Sequence, residues 1–137
     1  MPEQTPLLRA QRQAEQMWQG DSASRGLGIE LGPVGPGRAS AAMTVRPDMV
    51  NGHGLAHGGF VFALADSAFA FACNSFNRRA VAQSNSITYL RPGKPGRLVV
   101  TAEVRKRGES LSVCEADIQQ DGSSLVHALA TFALLDR

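Results

Sequence analysis

The chain has 137 residues, a formal net charge of +2 and a pI near 8.8. That length suits one domain with a real core, and the weak positive balance falls short of the single-sign field of a dedicated nucleic-acid binder. Cys73 and Cys114 lack metal-ligand spacing and read as free thiols of a reducing compartment, and the opening MPEQTPLLRAQRQAEQ has no apolar run to act as a signal peptide, so a cytoplasmic location is expected.

In chain order, Thr5 and Pro6 predict an N-cap and first helical position. Leu7, Leu8, Ala14, Met17 and Trp18 can share one side of a short helix ending near Gly20, opposite Arg9, Arg12, Gln13 and Glu15. Glycines and prolines between Arg25 and Gly37 leave only a short strand, Gly28 to Leu31. A second strand is predicted over Arg38 to Arg46, where Ala39, Ala41, Met43 and Val45 alternate with more polar neighbours, and Pro47 ends it.

Asn51 to Cys73 reads NGHGLAHGGFVFALADSAFAFAC. A loop of glycine and histidine opens a helix over Val61 to Cys73 that is apolar on every side apart from Asp66. Such a helix belongs inside a protein, and at thirteen residues it is too short for a bilayer. Strands are then predicted over Ala80 to Leu90, Leu98 to Lys106, Leu111 to Gln119 and Leu125 to Leu135. A rigid loop, Arg91-Pro92-Gly93-Lys94-Pro95-Gly96, and a hairpin signal at Asp121-Gly122 separate them. Short turns imply an antiparallel sheet. The expected architecture is α+β: about six antiparallel strands around one long buried helix, with residues 1–20 as a helical extension of one domain. One sheet can hardly cover the helix on all sides, so a homodimer at minimum is expected.

Three features carry chemistry. Asp66 is a carboxylate in an apolar helix, costly unless paired, and too far along to be an N-cap. It is bridged to Arg78, Arg79 or a strand arginine, or sits on a helix face that simply reaches water, or stands in a cleft as nucleophile or general base. Gly58 and Gly59 lie where helix N–H groups lack partners and the dipole favours negative charge. They are either plain turn residues or an oxyanion site. Asn51, His53 and His57 add polar groups to that loop. The His53/His57 spacing would suit a metal only on a helix, which the glycines oppose. Gly52-x-Gly54-x-x-His57 lacks the third glycine of a dinucleotide fingerprint, and no lysine follows for a phosphate loop. Finally, Arg91, Lys94, Arg97, Arg105, Lys106 and Arg107 supply six of the fourteen Lys and Arg residues within seventeen positions, opposed only by Glu103. They form either a charged sheet edge or a handle for a small phosphorylated ligand. The aromatics expected for nucleic acid are missing.

The run Asn51-x5-His57-Gly58-Gly59-x6-Asp66, together with Ile87-Thr88-Tyr89-Leu90-Arg91-Pro92-Gly93 and the strand pattern through Phe132, resembles the hot-dog-fold acyl-CoA thioesterases. Within that family it is most similar to the phenylacetate-catabolism branch. The resemblance covers roughly the last 110 residues. It implies hydrolysis of an aryl-acetyl-type CoA thioester, such as phenylacetyl-CoA or a hydroxylated relative, to free acid and CoA. By this resemblance Gly58 donates its amide to the thioester carbonyl, and Asp66 of the other subunit attacks or activates water. Asn51 orients that water or the carboxylate, and His57 positions the thioester. Gly59, Gln83 and Ser84 would line the substrate, and Arg91, Lys94, Arg105 and Lys106 would meet the CoA phosphates. No metal or cofactor beyond the substrate's own CoA is implied, nor any nucleic-acid or membrane partner; the implied assembly is a homodimer as catalytic unit, in a homotetramer. Alternatives on the same fold are an acyl-thioester hydratase or dehydratase, and a non-catalytic acyl-CoA-binding module. Eight residues from Gly58 to Asp66 span about 12 Å of helix, too far for both to touch one carbon, which also favours a site shared between chains.

Overall fold

The computed structural model describes residues 5–135. The N-terminal helix α1 spans Pro6–Gly20, with Thr5 capping it by accepting from the Leu8 N–H. Ala10 and Ala14 are its buried residues and Met17 and Trp18 pack at the core's margin, whereas Leu7 and Leu8 are exposed rather than on the inner side. A further helix that the sequence reading did not include, α2 (Ser22–Gly26), follows at once because Asp21 caps it.

Six strands, β1 (Glu30–Gly35), β2 (Arg38–Val45), β3 (Ala80–Tyr89), β4 (Gly96–Arg107), β5 (Leu111–Gln120) and β6 (Ser123–Leu134), form one sheet in the order β1-β2-β4-β5-β6-β3. All neighbours are antiparallel. β1 lies further along than expected and runs through Pro33. It can do so because it is an edge strand with a bulge between Leu31 and Val34, where a missing N–H is tolerated. Asp121 and Gly122 both have positive φ, the two-residue turn that the right-handed twist of a hairpin favours.

The central helix α3 (Gly58–Cys73) lies across this sheet. Val61, Leu64, Ala65, Ala68, Phe69, Phe71, Ala72 and Cys73 are buried, with Phe69 against Phe132 and Phe71 against Trp18. Phe69 and Phe71 are therefore core. The helix is not enclosed all round: Phe62, Ala63, Asp66, Ser67 and Ala70 are half-exposed on the side away from the sheet. Among the described residues no helix is long and apolar enough to cross a membrane. Cys73 and Cys114 are buried and unpaired.

Asn74 ties the end of α3 to the start of β3. Its Nδ2 donates to the Ala70 and Ala80 carbonyls, and its Oδ1 accepts from the Ala80 N–H. Asn74→Ala removes all three bonds, leaving the Ala70 carbonyl only its backbone bond from residue 74, and is expected to cost about 1–3 kcal/mol, read as a lower urea midpoint; an unchanged midpoint would contradict this role.

Candidate active site

The loop before α3 is organised by Asn51. Its Oδ1 accepts from the His53 N–H (2.9 Å) and the Leu55 N–H (3.1 Å), and its backbone pairs with Leu55 and Gly54. The carboxamide oxygen is thus committed to the loop, and Nδ2 remains the group that can reach a ligand. The loop is pinned to its surroundings by Ala56 N–H to the Gly93 carbonyl and His57 N–H to the Met49 carbonyl, both at 2.8 Å.

His57 is the N-cap of α3, and its Nδ1 accepts from the Gly59 N–H at 3.0 Å. That bond places the ring proton of the neutral imidazole on Nε2. The His57 carbonyl accepts from Phe60 and Val61. The Gly58 N–H has no partner among the described residues, and Gly58 lines a recess of about 350 Å³. Asn51, Arg91, Tyr89, Leu125 and Val126 share the lining. One N–H of the helix start is therefore unspent, at the positive end of the dipole, where an oxyanion would be stabilised.

Asp66 stands two turns along, on the half-open side. Among the described residues it makes no ion pair and no hydrogen bond. No arginine among the described residues therefore serves as its counter-ion, Arg78 donating instead to the carbonyls of Glu109, Leu134 and Leu135, and the half-exposure of this helix face fits the reading in which it reaches water. Burial, and next the like charge of Asp21, push the Asp66 carboxyl above its ordinary range. Asp21 is brought there by α2: its carboxylate accepts from the Ser24 N–H (3.0 Å) and hydroxyl (2.7 Å), and the Ser24 and Ser67 hydroxyls meet at 2.7 Å. Sequence reading missed Asp21, for which helix spacing offers no signal.

The recess therefore gathers Asn51, Gly58 and Arg91, whereas His57 and Gly59, on either side of Gly58 in the chain, are exposed and do not line it. Asp66 of the same chain lies about 12 Å along the helix from Gly58. Gln83 and Ser84 are exposed on β3, a sheet edge. Gln83 is the extra residue of a bulge between Ala82 and Ser84, so the strict alternation expected through this strand breaks there. Asn85, Ile87 and Tyr89 keep one parity, and this is the parity that faces α3, since Ile87 packs on the core and Tyr89 bonds Gly58.

The basic run is not one patch. Arg91 donates to the Ser124 carbonyl (2.6 Å), and the Lys94 ammonium group is exposed without an ion pair among the described residues. Arg97 pairs with Glu30 at 3.2 Å and Arg107 lies over the Phe76 ring at 4.4 Å. Arg105 is held by Glu115 (2.7 Å) and Glu103 (3.7 Å). Arg105 and Lys106 stand nine residues or more beyond Gly96 on β4, roughly 30 Å of extended chain. Tyr89 and Leu125 were missed as site residues. Leu125 is turned into the recess by the bulge between β5 and β6, and its carbonyl takes the Leu90 and Arg91 N–H groups. Among the described residues no three His, Cys, Asp or Glu side chains gather to hold a metal ion.

A helix with an unspent N–H at its start and a carboxylate further along, wrapped by an antiparallel sheet, is the arrangement of a hot-dog thioesterase. Residues 53–127 match the Thioesterase superfamily model, and the chain belongs to that family. The expected likeness to its phenylacetate branch is borne out. The chain is 42% identical over 111 residues to the acyl-coenzyme A thioesterase PaaI of Escherichia coli K12, covering 80% of this chain and 79% of that one. The structure of the E. coli PaaI protein from the phenylacetic acid degradation operon superposes with a TM-score of 0.94, at 36% identity, over 96% of this chain and 97% of the other. Human acyl-coenzyme A thioesterase 13 is 33% identical over 93 residues, 66% of each chain.

Proposed function

We propose that this chain hydrolyses an acyl-CoA thioester to the free acid and CoA, and that its acyl group is of the aryl-acetyl type, phenylacetyl or a hydroxylated relative. The observation that carries the reading is the unspent N–H of Gly58, a residue that lines one recess with Asn51 and Arg91. The thioester oxygen accepts from Gly58 as negative charge develops on it. The Asp66 carboxylate takes a proton from water, whose oxygen attacks the carbonyl carbon, or attacks that carbon itself. The C–S bond then breaks and CoA leaves, its sulfur taking the proton that Asp66 removed from water; on the direct route water cleaves the acyl–Asp66 anhydride that forms, giving the free acid and supplying the proton that the CoA thiolate takes up. Asn51 Nδ2 and His57 Nε2 are the donors available to orient the thioester and the attacking group. No metal enters this scheme. The acyl preference rests on the likeness to PaaI of E. coli, named for phenylacetic acid degradation.

Gly58 and Asp66 act from two chains in this reading, because one helix holds them too far apart. The exposed outer edge of β3, with Gln83 and Ser84 on it, offers the unpaired backbone that a second copy can meet. Gln83 and Ser84 then lie against the acyl end, next to Gly59 and the half-buried Phe60 and Phe62. Exposed Val99, Leu111 and Leu129 on the sheet's other face suit the pairing of dimers into a tetramer. Arg91 and Lys94 meet the CoA phosphates from the recess side, and Arg105 and Lys106 from a neighbouring subunit. Two unpaired buried cysteines suit a cytoplasmic setting. The test is a thiol-release screen over aryl and aliphatic CoA esters. Phenylacetyl-type esters are expected to have the highest kcat/KM, and a preference for long aliphatic chains would overturn the acyl assignment.

A further inference from the structure

Gly58 and Gly59 have the widest backbone freedom of any residue pair, yet the proposed oxyanion donor is useful only if its direction is fixed. Three bonds fix it. The His57 carbonyl, on the peptide whose N–H is that of Gly58, accepts from Phe60 at 3.0 Å and Val61 at 3.2 Å. The next peptide is held at both ends: the Gly59 N–H by His57 Nδ1, and the Gly58 carbonyl by the Tyr89 hydroxyl, which donates to it at 2.9 Å. The Tyr89 ring lies directly on the glycine, since a Cβ built on Gly58 would be 3.2 Å from Tyr89 Oη and 3.3 Å from Cζ. Helix geometry accounts for the first anchor. The Gly58 carbonyl, in the first residue of α3, also accepts from the Phe62 N–H within the helix, and the additional clamp on this second peptide comes from a side chain 31 residues away.

We infer that Tyr89 is a positioning residue for the oxyanion donor: its hydroxyl, opposite His57 Nδ1, clamps the Gly58–Gly59 peptide and so holds the Gly58 N–H in a fixed direction at the recess. The inference rests on the thioesterase reading above. A hydrogen bond at the Gly58 carbonyl also polarises the Gly59 N–H, strengthening its bond to Nδ1 and keeping the imidazole proton at Nε2.

Tyr89→Phe keeps the ring and removes the bond. In the full-length protein this variant is expected to lower kcat about tenfold with KM nearly unchanged, because an aim is lost and not a binding contact. In a Gly58→Pro background, where no N–H remains to be aimed, Tyr89→Phe is expected to have no further effect. In protein labelled with 15N-glycine, the Gly59 amide proton resonance is expected to move upfield in Tyr89→Phe. An unchanged kcat, a change confined to KM, or losses that multiply in the double variant would each overturn the inference, even with wild-type turnover and the Gly58→Pro loss as expected. Absence of thiol release by the wild type would instead defeat the thioesterase reading. The glycine spectrum then decides the clamp by itself, since an unmoved Gly59 amide rules it out.

Discussion

Asp66→Asn is expected to lose turnover by on the order of a hundredfold or more while gaining heat stability near neutral pH. The two effects share a cause. Burial and the Asp21 charge raise the Asp66 carboxyl above its unfolded value. Well below the unfolded value, both folded and unfolded chains hold the proton and the site costs nothing. As pH rises through the folded value, the folded chain must carry an unwelcome charge, and stability is lost. The amide removes that charge. The variant's thermal midpoint should therefore exceed the wild type's at about pH 8 and converge with it near pH 4, around and below the ordinary carboxylate range. Near-normal thiol release from phenylacetyl-CoA by Asp66→Asn would defeat the catalytic assignment. A lower midpoint at neutral pH would show that the ionised group has a stabilising partner in the assembled protein. A single turnover in 18O water distinguishes the two roles of Asp66, because label in its carboxylate would mark an anhydride.

The second large effect is restoration of activity by mixing two dead variants. Gly58→Pro deletes the N–H while suiting the backbone: proline is favoured at the first position of a helix, and His57 already has the extended conformation (φ −67°, ψ 130°) that a residue before proline requires. Tyr89 must yield to the new Cβ. Loss of one oxyanion donor should lower kcat about 10²- to 10³-fold. If Gly58 of one chain works with Asp66 of another, a dimer of one Gly58→Pro chain and one Asp66→Asn chain retains one intact site and one doubly damaged site. Random pairing of the co-expressed variants then recovers about a quarter of wild-type turnover. If both groups acted from one chain, every site in the mixture would be damaged and nothing would be recovered. Purification through a different tag on each variant should raise the recovered fraction to about half for a dimer, and only to about 0.3 if dimers pair into the proposed tetramer, since a tetramer passes both columns whenever it holds both chains.

Much of this fold is legible in near-neighbour spacing. The capped helix at Thr5-Pro6, the apolar run of α3 with its glycine start, the alternation of Leu98, Val100 and Ala102, and the Asp121-Gly122 turn all depend on contacts within a few residues. Strand boundaries came within one or two residues where alternation was clean. They slipped at β1, where Pro33 can continue an edge strand only because a bulge removes the need for its N–H. Which aromatics of α3 are core and which stand on its open side also escaped spacing. Aromatics around an apolar helix are alike in sequence, and only the position of the sheet and of Trp18 separates core from open side.

For the site, the chain's own residues already identify the two chemical poles, because a carboxylate in an apolar helix and a glycine pair at a helix start are anomalies in any fold. Which groups accompany them is a tertiary matter. Bulges at Gln83, Arg105 and Leu125 shift side-chain parity by one residue, which alternation cannot anticipate. The length of β4 divides the basic run into a recess-side part at Arg91 and Lys94 and a far part at Arg105 and Lys106. The Ser24–Ser67 contact delivers Asp21 to Asp66, and antiparallel packing delivers Tyr89 to Gly58. Local chemistry is written in spacing along the chain, whereas electrostatic tuning and aim depend on distances between segments that only register and packing set.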